Sequence, residues 1–337
     1  MKVAVVILNW NGKKLLEQFL PSMLASSKDD ADIYVADNAS TDSSIDFIKT
    51  NFPDVKIIEN EKNGGYAKGY NDALKSLKAD IYALVNSDIE VTQDWVKPII
   101  AEFERSKNTA IIQPKLLDFK DKKKFEYAGA AGGFIDFFGY PYCRGRIFLE
   151  LEEDEDQYND TVDIFWASGA CFFIRAEVYH KLGGFDEHYF AHQEEIDLCW
   201  RVQNEGYKIK YVGTSTVYHI GGATLKEANP RKTFLNFRNS LFSVLKNVPK
   251  RYLFLVLLLR MILDGIAGLK FLVEFRAVHT WAIIRAHFSF YRYLPVMLKK
   301  RTKISFKRTS YHHSKSIVWQ HFVLGRKTFK EIKGEVI

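Results

Sequence analysis

The sequence predicts an α/β protein built on a parallel sheet with both faces covered, and three observations carry that reading. Short β-branched runs alternate with segments whose apolar residues recur at helical spacing. Polar residues of the kind that hold ligands stand directly after those runs, where the strands of such a sheet end. The charge is also divided. Residues 1–229 hold 26 Lys and Arg against 37 Asp and Glu, residues 230–337 hold 22 against 4, and the net +7 therefore joins an acidic body to a basic tail. With 337 residues there is room for two domains, read as 1–229 and 230–337.

In chain order, strands are predicted at 3–8, 33–36, 55–58 and 81–85. The helix after the first presents Leu15, Leu16, Phe19, Leu20 and Met23 on one face, and the helix after the third presents Tyr66, Tyr70, Ala73, Leu74 and Leu77. A further helix is expected near 93–105. From 115 to 160 the periodicity is lost, and the basic run 120–124 and acidic run 150–156 read as solvated loops. Strands return at 162–166 and 170–174, followed by a helix at 194–205 and strands at 208–212 and 216–218.

Beyond residue 230 helical apolar patterns are mixed with Arg and Lys, as at 251–260 and 281–293. Helices of this kind suit a membrane interface, and equally a helical subdomain with a solvated basic face. The start of the chain lacks the pattern of a secretory signal, and no uncharged run approaches the ~18 residues of a membrane span, so the protein is expected to touch a membrane without crossing it. Three cysteines, Cys143, Cys171 and Cys199, form no close pair and fit a reducing compartment. The basic third also raises nucleic-acid binding, but no recognition motif is readable and the acidic body opposes it.

The candidate chemistry sits at strand ends. Asp37 closes the second run, where a carboxylate can accept from a ribose hydroxyl or a base N–H; it can also cap the next helix, a role that Ser40, Thr41 and Asp42 could fill instead. Gly64, Gly65 and Gly69 open a helix and would let a backbone approach a phosphate, in an order that is neither a dinucleotide fingerprint nor a Walker motif. Asn86 and Asp88, two apart after a buried strand, can face one divalent cation or form a polar turn. Glu194 and Glu195 begin a helix whose dipole would keep at least one of them ionised at neutral pH, ready to act as a general base. Asp197 and Arg201 pair along that helix. His219 follows a strand and is a metal ligand only in company.

Taken in order, the segments 5–12, 37–40, 63–71, 86–88 and 169–201 resemble the sugar-nucleotide-dependent glycosyltransferases of family 2, in particular bacterial rhamnosyltransferase-like members. The resemblance implies a GT-A fold, a Rossmann-like arrangement for nucleoside diphosphate sugars. It implies that Asn9, Asp37, Asn38, Gly64, Gly65, Asn71 and Asn86 line the donor pocket, and that Asp88 and His219 hold Mg²⁺ or Mn²⁺. Glu195 stands at the family's catalytic base, in a Glu-Glu pair where the family has Glu-Asp. Trp166, Ser168 and Asp197, with Phe185, Tyr189 and Phe190, are expected on the acceptor side. The activity implied is inverting transfer of a sugar, from a thymidine diphosphate rhamnose or a uridine diphosphate sugar, to a glycan or lipid-linked acceptor in cell-surface polysaccharide synthesis. The alternative is an inactive member serving as a scaffold. The basic tail would then hold the enzyme at the anionic inner face of the cell membrane.

Overall fold

The computed structural model describes residues 1–221, 229–308, 310–332 and 334. Its first half follows the predicted alternation: β1 (Val3–Asn9), α1 (Lys13–Ser27), β2 (Asp32–Asp37), α2 (Ser44–Asn51), β3 (Lys56–Glu59), α3 (Gly65–Leu74) and β4 (Ile81–Asn86). The four strands pair in parallel in the order β3-β2-β1-β4. Alternate residues of β1 enter opposite cores. Ala4 and Val6 pack with Tyr70, Ala73 and Leu74 of α3, whereas Val5 and Ile7 pack with Leu16, Leu20 and Met23 of α1. Burial on both faces is why β1 and β4 read as continuous apolar runs.

The chain then passes through β5 (Ile89–Val91), α4 (Lys97–Arg105) and β6 (Thr109–Asp118). A small antiparallel sheet follows, made of β7 (Gly133–Ile135), β8 (Pro141–Cys143), β9 (Arg146–Ile147) and β10 (Glu150–Leu151). Next come β11 (Thr161–Asp163), β12 (Cys171–Arg175), α5 (Ala176–Lys181), α6 (Glu194–Asn204) and β13 (Lys208–His219). β12 lies antiparallel between β4 and β6, β13 runs parallel to β6, and β11 and β5 pair with β13. The sheet is therefore parallel in one half and mixed in the other.

Two readings of the middle segment are corrected here. β6 is buried along nearly its whole length, and its period is hidden because Gln113 and Lys115 point inward: Gln113 donates to the Gly129 carbonyl at 3.1 Å, and the Lys115 ammonium lies 2.7 Å from Asp154. Residues 133–151, where no periodicity is readable, form a small sheet, and the acidic run 150–156, expected as a solvated loop, begins with β10 and supplies partners, Asp154 to Lys115 and Glu152 to the Tyr158 hydroxyl at 3.0 Å. Residues 208–219 are one strand whose pairing with β6 shifts register between Val212 and Thr216.

The basic tail is helical: α7 (Pro230–Asn247), α8 (Lys250–Val273), α9 (Ala277–Arg301) and a short α10 (Ile317–Phe322). Residues 222–228, just before the expected boundary, lie outside the described residues. α8 overturns the expectation that no helix could span a bilayer. By length and composition it is long and apolar enough, with mean hydropathy 2.0 over its best window. Arg260 and Asp264 interrupt the uncharged run in the sequence, but on the helix they pair at 3.1 Å.

The tail is tied to the body by a buried charge cluster. The Lys246 ammonium of α7, 2% exposed, lies 2.7 Å from Asp186 and 2.8 Å from Asp197 of α6, while Lys300 of α9 also bonds Asp186 and Arg201 bonds Asp197 at 2.9 Å. Burial alone would raise both carboxyl groups, yet Lys246 with Lys300 holds Asp186, and Lys246 with Arg201 holds Asp197, below the ordinary range. Their contribution is fully present above the unfolded aspartate value and is lost as pH falls through the depressed folded values. Replacing Lys246 by Met leaves two buried carboxylates short of a partner. At pH 7 it is expected to cost roughly 3–5 kcal/mol in urea unfolding, and the difference from the parent should narrow below about pH 4.

Candidate active site

The C-terminal edge of the parallel strands gathers the first group of predicted residues. Register places Asn9 beside Asp37 and Leu8 beside Asn86. Asp37 is 4% exposed and works in its own turn: Oδ1 accepts from Asn9 Nδ2 at 3.0 Å and from the Ser40 hydroxyl at 2.5 Å, and Oδ2 accepts from the Ser40 amide at 2.8 Å. The expectation that neighbouring cap residues leave Asp37 free is therefore corrected. Ser40 turns back onto Asp37, and Asp42 instead accepts from the Ser44 amide at 3.0 Å. A carboxylate has about four lone-pair sites, so Oδ2 keeps one for a ligand.

The glycine turn into α3 is built by Asn38, expected in the donor pocket, together with Asn63 and Asn60. Asn38 Nδ2 donates to Asn63 Oδ1 at 3.0 Å, Asn63 Oδ1 also accepts from the Gly65 amide at 2.9 Å, and Asn60 Nδ2 reaches Asn38 Oδ1 at 3.3 Å. Asn38, 2% exposed, is thus a brace of this turn. Gly64 is the N-cap and has no side chain to cap with; the Gly65 amide goes to Asn63, and the amides that follow it in the first turn of α3 make no side-chain cap bond. Gly65 has φ +77°, and a Cβ there would stand 2.8 Å from the Phe190 carbonyl oxygen, so both conformation and space require glycine. Asn71 is fully engaged. Its amide donates to the Phe185 carbonyl and to Glu187, and its oxygen accepts from the Tyr179 hydroxyl at 2.7 Å and the Phe185 amide at 2.9 Å. It clamps α3 to the 183–187 turn and has no capacity left for a donor.

At the end of β4 the backbone amide of Asn86 bonds the Ala170 carbonyl, joining this edge to the approach of β12. Asp88 Oδ1 lies 3.2 Å from His219 Nε2, and Nδ1 of the same ring lies 3.1 Å from Glu126 Oε1. Pairing of β5 with the end of β13 brings His219 here. Burial favours the neutral ring, but the Glu126 charge and Asp88 outweigh it and push the imidazole up to about 10. Glu126 was missed because it lies in the stretch without periodicity.

This corner fits a divalent cation. Neighbouring ligands of an octahedral ion with bonds of about 2.1 Å stand about 3 Å apart, which matches the Asp88–His219 separation. Glu126 behind the ring stands where a carboxylate would orient the histidine if it held a metal. Among the described residues no three His, Cys, Asp or Glu side chains enclose an ion, so Asp88 and His219 would leave the rest of the shell to phosphate oxygens and water.

Glu194 and Glu195 open α6 after a turn with Gln193 at φ 72°. The expected lowering by the helix terminus is overturned. Burial raises Glu194 well above the ordinary carboxyl value, the Glu195 charge adds to it, and its Oε2 has no partner. Burial also raises Glu195, to about 7, against backbone hydrogen bonds from the helix start. Glu195 lies beside Gly169, whose carbonyl accepts from the Tyr66 hydroxyl at 2.6 Å. One residue on, Ala170 bonds Asn86, so the glutamate and the Asp88–His219 corner share one edge.

The expected acceptor residues divide. Trp166 is 3% exposed and donates from Nε1 to the Phe134 carbonyl at 2.9 Å; Ser168 is 1% exposed, its amide held by Gln113 at 2.8 Å. Asp197 belongs to the buried charge cluster, and Phe185 and Tyr189 are core residues. All five are buried and held by contacts within the body. Phe190, 43% exposed and lying over Gly65, is the member of the group that faces outward.

The model of glycosyl transferase family 2 matches residues 4–183. Over 231 residues, 64% of this chain and 75% of the other, the chain is 23% identical to the N-acetylglucosaminyl-diphospho-decaprenol L-rhamnosyltransferase of Mycobacterium tuberculosis. It is 22% identical over 211 residues to a low-salt glycan biosynthesis hexosyltransferase of Haloferax volcanii, with 61% of this chain and 63% of that one covered. A crystal structure of GalNAc-T7 with UDP, GalNAc and Mn²⁺ superposes with TM-score 0.57 and 17% identity, over 72% of this chain and 47% of that one. A mannosyltransferase from Pyrobaculum calidifontis with GDP-Man and Mn²⁺ gives TM-score 0.51 and 14% identity, over 89% and 86%.

The raised Glu195 carboxyl has a consequence for stability. The folded state holds its proton more tightly than the unfolded chain, so the favourable contribution is complete below the unfolded value of 4.5 and is lost as pH rises through about 7. Glu195→Gln is expected to melt higher than the parent at pH 8, by roughly 3 kcal/mol, and at nearly the same temperature at pH 5; calorimetry at the two pH values checks it.

Proposed function

Because the chain belongs to glycosyl transferase family 2 and has the GT-A fold, we propose that it is an inverting enzyme that moves a sugar from a nucleoside diphosphate sugar to a hydroxyl of a glycan or lipid-linked acceptor in cell-surface polysaccharide synthesis. The observation that carries this reading is a glutamate poised near pH 7 on the same strand edge as a buried Asp–His corner suited to a cation. A base whose proton affinity matches the working pH is charged often enough to act and basic enough to be useful.

In the proposed mechanism the uncapped first-turn amides of α3 and the glycine turn receive the diphosphate, and the spare lone pair of Asp37 receives a base or ribose proton. Asp88 and His219 would hold Mg²⁺ or Mn²⁺, which supplies charge neutralisation to the departing diphosphate. To hold the ion, His219 would have to give up a ring proton, since a ligating imidazole is neutral. Glu195 takes the proton from the acceptor hydroxyl as its oxygen forms the new bond at the anomeric carbon and the bond to the diphosphate breaks, inverting configuration. Burial and the Glu195 charge raise Glu194 well above the ordinary carboxyl value, which favours Glu195 as the member of the pair that acts as base.

Placement at a membrane is supported by α8 and α9. Val256, Arg260, Asp264 and Gly268 form the buried stripe of α8, and Arg260 stacks 3.6 Å from the Tyr140 ring centroid and donates to the Phe138 carbonyl. The other faces expose Phe254, Ile262, Ile266 and Leu269, with Trp281 and Phe288 on α9. Lys250, Arg251, Lys270, Arg276 and Arg285 lie among them. A helix pinned to the body by Arg260 on Tyr140 and Phe138, apolar outward and basic at its margins, fits an anionic leaflet lying flat against it, on the cytoplasmic side.

Two outcomes are expected. Against a panel of thymidine, uridine and guanosine diphosphate sugars with Mn²⁺, the parent transfers from at least one donor, with a rate that rises with pH through about 7. Glu195→Gln should lower kcat by roughly 10²–10⁴-fold, Glu194→Gln much less, and Asp88→Ala should raise the Mn²⁺ concentration needed. Full activity in Glu195→Gln overturns the base assignment. In vesicle flotation the protein should bind anionic vesicles more strongly than neutral ones at low salt, and Phe254→Glu with Ile262→Glu should abolish the binding. Equal binding to both vesicle types excludes the proposed location.

A further inference from the structure

The loop that delivers the two glutamates is held in a conformation its own residues do not favour. Phe190, His192 and Gln193 have φ of 65°, 67° and 72°, and none is glycine. L-residues rarely adopt this left-handed region, and such positions persist only where surroundings impose them. Phe190 is held in a tight turn by the Ala191 amide, which donates to the Tyr189 carbonyl at 2.8 Å, but Gln193, the N-cap of α6, makes no side-chain cap bond.

The restraint comes from α7. Asn239, fully buried, donates from its single amide nitrogen to three carbonyl oxygens of the loop, those of Tyr189 at 3.1 Å, Ala191 at 2.9 Å and His192 at 2.7 Å. Its own oxygen accepts from Arg238 Nε at 2.9 Å, and Arg238 also donates to the carbonyls of His188 and Tyr189, both at 3.1 Å. Successive carbonyls can converge on one nitrogen only if the chain curls around it, and the three left-handed residues make that curl. The other side of the loop is stopped by Gly65, against which the Phe190 carbonyl lies. The loop is therefore seated between α7 and the start of α3, and Glu195 follows it directly.

Resting on the reading of Glu195 as base, we infer that Asn239 is a positioning residue for the transfer reaction: by gathering the carbonyls of Tyr189, Ala191 and His192 it sets where the first turn of α6 places Glu195. Asn239 lies beyond the segment matched by the family model. It touches neither donor nor acceptor and acts only through the loop.

The test compares the parent, Asn239→Ala, the milder Asn239→Ser, and Asn239→Ala combined with His192→Gly and Gln193→Gly. Without the amide the loop relaxes, and a displacement of about 1 Å at the base can cost on the order of 10²-fold in rate. Asn239→Ala should lower kcat by at least about tenfold with the nucleotide-sugar KM within about twofold, and Asn239→Ser should fall between it and the parent. The acid limb of the kcat–pH profile should move to lower pH as water reaches Glu195, which a general loss of stability does not cause. Glycine enters the left-handed region without penalty, so the combined variant should regain part of the lost kcat. Unchanged kcat and pH profile in Asn239→Ala, beside an active parent, overturn the positioning role alone. So does a loss that follows melting temperature and is not relieved by the glycines. An inactive parent overturns the functional reading and this inference with it.

Discussion

A buried ammonium shared by two buried carboxylates is the interaction on which the rest of the molecule leans. Lys246 reaches from α7 to Asp186 before the catalytic loop and to Asp197 one turn into α6. Each charge has left water, so each requires the others, and the geometry tolerates little slack. The loop and first turn lying between those two aspartates are fixed at both ends. The basic third of the chain is therefore a wall of the candidate site as well as the proposed attachment to a membrane surface.

The same competition between burial and partners decides the chemistry. Glu195 has only backbone amides to set against desolvation, and burial wins, leaving a carboxyl group that titrates near 7. His219 is as deeply buried, yet two carboxylates face its ring, and the partners win. One edge thus holds a carboxyl group that releases its proton near neutral pH and a cationic corner that keeps one. Two opposite balances of the same two terms make an arrangement suited to handling a hydroxyl proton beside a diphosphate.

Much of this was legible from residues alone. The parallel half of the sheet follows from β1, β2, β3 and β4, whose runs are apolar because both faces are covered, and the ligand edge follows from where those runs stop. Asp37, Gly65, Asp88, Glu195 and His219 could be named because each stands at a strand end or helix start. What escaped was burial produced by distant partners. β6 hid its period behind Gln113 and Lys115, Glu126 lay in a stretch read as loop, and the spanning length of α8 was masked by Arg260 and Asp264, which cancel each other only when a helix turn brings them together.

The sequence by itself determined the fold class, the family and the set of side chains that can do chemistry, since periodicity and residue type are local properties that survive without knowledge of neighbours. Tertiary structure alone decided which of them are free to act. It bound Asn71, Trp166, Ser168 and Asp197 into contacts, raised the glutamates that the helix terminus was expected to lower, and assigned α7 to hold their loop. The physical reason is that hydrogen-bond capacity and solvation are spent on partners far apart in the chain, and no window of sequence contains both sides of such a contact.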